Sequence, residues 1–259
     1  KTSLASNDLD PITAHYLHAQ GATLITLILS WFLFARGNGL VQERAMIRMF
    51  LSGHAATLAV GIRTIVMEDF GDGEILEGPF LFFYGMSFLH VLWLSGVLRA
   101  MPTKIIAASG KYLKITTAEK ASNIIMTIYI GSFCVSRLLF GPSHKFFPST
   151  PLESNNFDPL MMYVTRITGA WFVPFVVFLL FDSWKVPALG YKIMCFFTIL
   201  CLPGFFVEFH EDSGHLNKNA FIGLAIGNVC FLFLGFSLLG AFKKDEALHI
   251  RNMKASKAA

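Results

Sequence analysis

Several ionisable side chains fall inside long apolar stretches, where a charge or a polar ring is out of place, foremost His54, His90, Arg166 and Glu208. Ionisable groups at membrane depth are costly, which makes each a candidate for function. A neutral imidazole in apolar surroundings can ligate the magnesium of a chlorophyll or the iron of a haem. It can equally be satisfied by a neighbouring hydroxyl, and Ser52 and Ser87 stand close by in the chain. His54 and His90 are therefore the cofactor-binding candidates, and joint ligation of one haem requires both to face a single cavity. Arg166 lies about two turns into its stretch and Glu208 close to the end of its own. That spacing suits a buried ion pair, or a gate for a proton or solute. Arg63 and Arg137 are also embedded. Arg63 is one turn from the end of its stretch and can reach out toward Glu68 and Asp69.

The remaining motifs exclude more than they suggest. The segment from Glu208 to His215 gathers carboxylates and imidazoles, but it lacks the HExxH order of a zinc hydrolase and the repeated histidine boxes of membrane di-iron desaturases. The acidic run from Glu68 to Glu77 lacks calcium-loop spacing. No phosphate-binding loop, dinucleotide fingerprint or Ser/His/Asp order is present. No catalytic residue and no metal site is assigned. Cys134, Cys195, Cys201 and Cys230 all sit in apolar runs without CxxC spacing, which predicts buried reduced thiols.

The elements that must position these residues are membrane helices. The 259-residue chain is 54% hydrophobic and only 15% charged, with a mean hydropathy of +0.57. A soluble domain is roughly a quarter charged, so this chain has too few charges to cover a water-facing surface. The 27 phenylalanines suit surfaces packed on lipid or on flat apolar ligands. A hydrocarbon crossing takes about 20 apolar residues. Seven stretches qualify: 12–35, 45–67, 79–100, 120–140, 159–181, 187–209 and 219–242. Pro174 and Pro203 fall inside the fifth and sixth, where a missing amide hydrogen predicts a kink. The reading is an all-α, polytopic membrane protein of seven transmembrane helices.

Charge sorting supports the count. The first, third and fifth connections and the tail carry net charges of +2, +4, +1 and +3. The N-terminus and the second, fourth and sixth connections carry −1, −5, −1 and −1. The basic side is expected in the cytoplasm, stroma or matrix, and the sorting makes the basic pI a topology signal that does not call for a nucleic-acid partner. The chain begins at Lys1 without a Met, which suggests a processed precursor and an organellar address.

An internal repeat is also visible. Asp10-Pro11 is followed by Gly21-Ala22 and an aromatic apolar run. Asp158-Pro159 is followed at the same spacing by Gly169-Ala170 and another, an offset of 148 residues. The resulting division is a first three-helix unit over 10–100, a linking fourth helix with its loops over 101–157, a second unit over 158–243 and a basic tail over 244–259. An odd linking helix makes the units parallel, a 3+1+3 layout that resembles SWEET sugar transporters in topology. The first two spans lack the interior prolines of that family. A microbial rhodopsin is excluded because the seventh stretch has no central lysine.

The expectation ranked first is a non-catalytic accessory subunit of an organellar energy-converting supercomplex. It is photosystem-associated, in the thylakoid rather than the mitochondrial inner membrane, and binds chlorophyll, carotenoid or lipid beside other membrane subunits. A respiratory accessory subunit is the near variant. The second is a small-solute facilitator built from the two repeats, and the third an enzyme acting on a lipid or sterol.

Overall fold

The computed structural model describes residues 11–36, 40–67, 77–101, 117–140, 159–184, 186, 189–190 and 192–200, with single helical positions at 222, 226 and 229. Every regular element among them is helical. The helices are α1 (Pro11–Ser30), α2 (Leu40–Val66), α3 (Glu77–Ala100), α4 (Thr117–Val135) and α5 (Pro159–Phe181). Residues 192–200 form part of a further helix. Five helices are long and apolar enough to cross a membrane, and they coincide with the first five expected spans. The sixth expected span is described only in part. The seventh, together with Glu208, Pro203, Cys201, Cys230 and the His210–His215 segment, lies outside the described residues apart from those single positions.

Helix ends follow local chemistry. α5 starts at Pro159, where the absent amide hydrogen is not needed, and continues through Pro174. α2 begins at Leu40, five residues before the apolar run, because Gln42, Glu43 and Arg44 are adequate helix formers once outside hydrocarbon. α1 and α4 each close in a wide π turn, over Trp31–Ala35 and Ser136–Phe140. Such a turn carries an extra residue and rotates the face that follows it.

α5 is the hub, packed against α1, α2 and α4, while α3 packs mainly on α2. The core follows from this: Tyr16, Leu27, Met46, Met49, Val164, Ile167, Ala170 and Trp171 are buried between these helices. Glycines set the approach. A Cβ on Gly53 would stand 2.9 Å from the Trp171 ring and 3.0 Å from Pro174, and one on Gly61 would overlap Tyr84. A Cβ on Gly169 would stand 2.8 Å from the backbone nitrogen of Leu138. With lipid as apolar as the core, such close backbone packing takes over the role of hydrophobic burial.

Polar contacts pin the helix register. At one end Arg48 Nη1 donates to both carboxylate oxygens of Asp182, at 2.7 and 2.9 Å, and Asn123 Nδ2 donates to Ser183 Oγ at 3.2 Å. These residues come from the connections and helix ends that the charge pattern puts on the basic side. Toward the opposite end the Tyr84 hydroxyl donates to that of Tyr163 at 3.2 Å, near the starts of α3 and α5. The five described helices thus run in the alternating directions that the charge sorting requires.

Candidate functional site

Halfway along α5, two polar clusters flank the helix on different sides. The first lies between α2, α3 and α5. His54 and His90 each sit near the middle of their helices, and their ring centroids are 4.6 Å apart at an interplanar angle of 54°. Trp171 meets His54 edge-on at 5.4 Å. The two histidines called from sequence are therefore brought together. Neither takes the expected serine: Ser52 Oγ donates to its own helix at Met49 O, at 2.8 Å. The Nδ1 atoms of His54 and His90, Nε1 of Trp171 and Oγ1 of Thr57 are all buried without a hydrogen-bond partner. Each such atom costs about 1–3 kcal/mol if left unmet, so this seam holds an unspent capacity for donors and acceptors.

The spacing limits what the histidine pair can hold. Two imidazoles ligating opposite sides of one metal at about 2 Å each put their centroids about 6 Å apart or more. At 4.6 Å no macrocycle fits between the rings as they stand. One ring acting alone on a tetrapyrrole is compatible with the geometry. So is a small ion or proton held by both. Among the described residues no group of three or more His, Cys, Asp or Glu is placed to hold a metal ion.

The second cluster lies between α1, α4 and α5 and centres on Arg137, only 8% exposed. Counted along the chain, Arg137 is three residues from the end of the fourth span, a position from which an arginine usually reaches water. The structure turns it inward. The π turn Ser136–Phe140 aims it at α5, and its Cβ packs at the Gly169 position, near the centre of that helix. Cys134 Sγ donates to Gly169 O at 3.6 Å and fixes the same register. The guanidinium Cζ lies 4.6 Å from the Phe133 ring centroid, 5.4 Å from Tyr16 and 5.8 Å from Phe172. Desolvated cation–π contacts contribute up to about 2 kcal/mol each, against roughly 3 kcal/mol or more for a central membrane arginine. The ring faces can thus hold the charge. The guanidinium also donates a hydrogen bond to the Tyr16 side chain, while Nε is buried without a hydrogen-bond partner. Thr168 Oγ1, bonded to Tyr16 O at 3.0 Å, ties α1 to α5 beside this cage.

Arg166 is buried on α5, 6% exposed, while its expected partner Glu208 lies outside the described residues. Arg63 is exposed near the end of α2. Cys134 and Cys195 are buried reduced thiols, as their apolar settings predict. Sequence reasoning missed the Arg137 cage because Tyr16, Phe133 and Phe172 lie on three different helices. The only signal within reach was Phe133, one turn before Arg137 on the same face.

Comparison with protein families, with characterised proteins and with solved structures finds no match to this chain. The functional reading rests on the contacts within the chain itself.

Proposed function

We propose that the chain is a membrane facilitator for a small solute, built from two related three-helix units joined by α4, with seven crossings in all. One observation carries the reading. Under the offset that takes Asp10 to Asp158, Phe34 corresponds to Asp182 and Arg48 to Phe196. Arg48 contacts Asp182, and Phe34 contacts Phe196, edge-on at 6.2 Å. Contact between a residue of one unit and the partner's equivalent, matched by its reciprocal, is what a two-fold axis produces. An axis along the membrane normal favours a parallel 3+1+3 arrangement with a path between the units. Arg48 and Asp182 then close the basic mouth, with Lys192 over the Phe34 ring at 5.4 Å beside them. Arg166 and Glu208 would serve the other mouth.

The test is solute flux into proteoliposomes loaded with the full chain. Wild type should pass a small solute faster than empty vesicles, and Arg48→Ala should alter the rate. No flux for any of a panel of sugars, carboxylates and amino acids would count against the reading.

A second reading keeps the chain as an accessory subunit of an organellar energy-converting complex, of photosystem or respiratory type, binding pigment or lipid. Its support is the outer face of α3. Phe82, Phe83, Phe88 and Trp93 are all exposed there, and His90, on the same helix, has its Nδ1 unpartnered. A flat apolar ligand or a neighbouring subunit could pack on that face, while His90 turns to the inner seam beside His54. Native-gel migration in mild detergent separates the two: a coloured band far above 28.8 kDa favours the subunit, and a colourless small particle the facilitator.

A further inference from the structure

We propose that His54 and His90 form a copper site: one Cu(I) ion held between α2 and α3 through the Nδ1 atoms of both imidazoles. Each Nδ1 is buried without a hydrogen-bond partner. With its proton on Nε2, a neutral imidazole presents a free lone pair at Nδ1. Metal–nitrogen bonds are about 2 Å long, so rings with centroids 4.6 Å apart can share one ion at a bent angle of about 95°. An ion of that size needs only the space between the rings, and the bend leaves one side open to a third donor. Both histidines are partly exposed, which gives the ion an approach from the rim of the seam. Trp171, only 3% exposed, packs edge-on against His54 and holds that ring in place.

Donor type and charge together select the ion. Calcium and magnesium take oxygen ligands, whereas imidazole suits zinc, copper, iron and nickel. α2, α3 and α5 carry two carboxylates, Glu43 and Glu77, each in the first turn of its helix. They stand eleven and thirteen residues from the histidines, roughly 16 and 20 Å along the helix axes. No third His, Cys, Asp or Glu joins the pair among the described residues. A divalent ion would therefore keep its full charge at a depth where charge is costly. Cu(I) carries half that charge and accepts two or three neutral ligands. The site stands whether or not the chain passes a solute, since binding is read without flux.

The experiment loads the untagged full chain, in detergent micelles under ascorbate, with one equivalent of Cu(I) and desalts it. Copper content and X-ray absorption at the copper edge are then read. Wild type should retain the ion and show two imidazole nitrogens without sulfur in its first shell. His54→Ala and His90→Leu should each lose the retained copper, because one imidazole alone does not hold it. Wild type that retains no copper overturns the site, as do sulfur scatterers, which would place the ion on cysteines. Imidazole scattering unchanged in either variant also overturns it, since other histidines would then be the ligands. His90→Leu replaces an unmet polar ring with an apolar side chain and is expected to fold. If one variant fails to fold the other decides, and if both fail the wild-type spectrum decides, with fewer than two imidazoles overturning the site.

Discussion

α3 and α5 are near twins in length and apolarity, 24 and 23 residues, yet they hold opposite places. α5 is buried on nearly every side: Tyr163 to Trp171 is an unbroken buried run. α3 buries only Phe80, Tyr84, Ser87 and Leu94 and turns Leu81, Phe82, Phe88, Leu89, Leu92 and Trp93 outward. Apolar content does not decide between them, since acyl chains solvate phenylalanine as well as the protein does. What separates the two is the small and polar set on α5. Thr165, Arg166, Thr168, Gly169 and Ala170 let other backbones approach and need protein partners, whereas the bulky side chains of α3 need none.

The largest expected effect comes from filling a glycine on the hub. Gly169→Val would press on the Leu138 backbone and on Arg137, which cannot yield cheaply. A loss of about 3 kcal/mol is expected, read as a lower unfolding midpoint in detergent. A glycine change on α3 should do nothing adverse: Gly85 has open space around it, so Gly85→Ala should be neutral or gain up to about 1 kcal/mol, whereas Gly169→Ala should already destabilise. If both substitutions destabilise alike, the contrast between the helices is wrong.

Next in size is the ion pair at the end of the hub. The Asp182 side chain is 5% exposed and that of Arg48 25%. Breaking a fully buried pair costs about 3–5 kcal/mol, and partial exposure of the arginine reduces this to about 2 kcal/mol for Asp182→Asn. The double change Arg48→Met with Asp182→Leu should recover most of the loss, because no charge is then left alone. A double-mutant cycle on thermal midpoints checks it.

A smaller effect is expected where the two helices touch each other. Tyr84→Phe removes the donor to Tyr163 and should cost about 1 kcal/mol, with no change in Arg48→Met sensitivity because the sites are far apart. The smallest is on the α3 face. Phe82→Ala should leave the midpoint of the isolated protein within about 0.5 kcal/mol. If α3 docks a neighbour or pigment, the same change should shrink the native-gel particle; if it faces lipid, migration stays the same.

How much of this was legible beforehand can be judged residue by residue. His54 and His90 were singled out by being polar in apolar runs, and they do meet. Their choice of each other over Ser52 and Ser87 was not readable, since a serine in a membrane helix satisfies itself on its own backbone, as Ser52 does. Arg137 was visible only as an embedded charge. Its inward turn depends on a π turn and on Gly169, and neither announces itself in the sequence. Tyr16 stands more than a hundred residues before Arg137 along the chain, and Phe172 thirty-five after it.

The sequence by itself determined that the chain is helical and membrane-spanning, where its first five helices lie and in which alternating directions they run. Those properties follow from local hydropathy and from the cost of moving charge across a bilayer, both written residue by residue. Only the tertiary structure decided which helix is central, which faces outward, and which buried polar groups face one another. Those outcomes depend on close contact between backbones and on rotations about helix axes, and apolar content is nearly the same on every face.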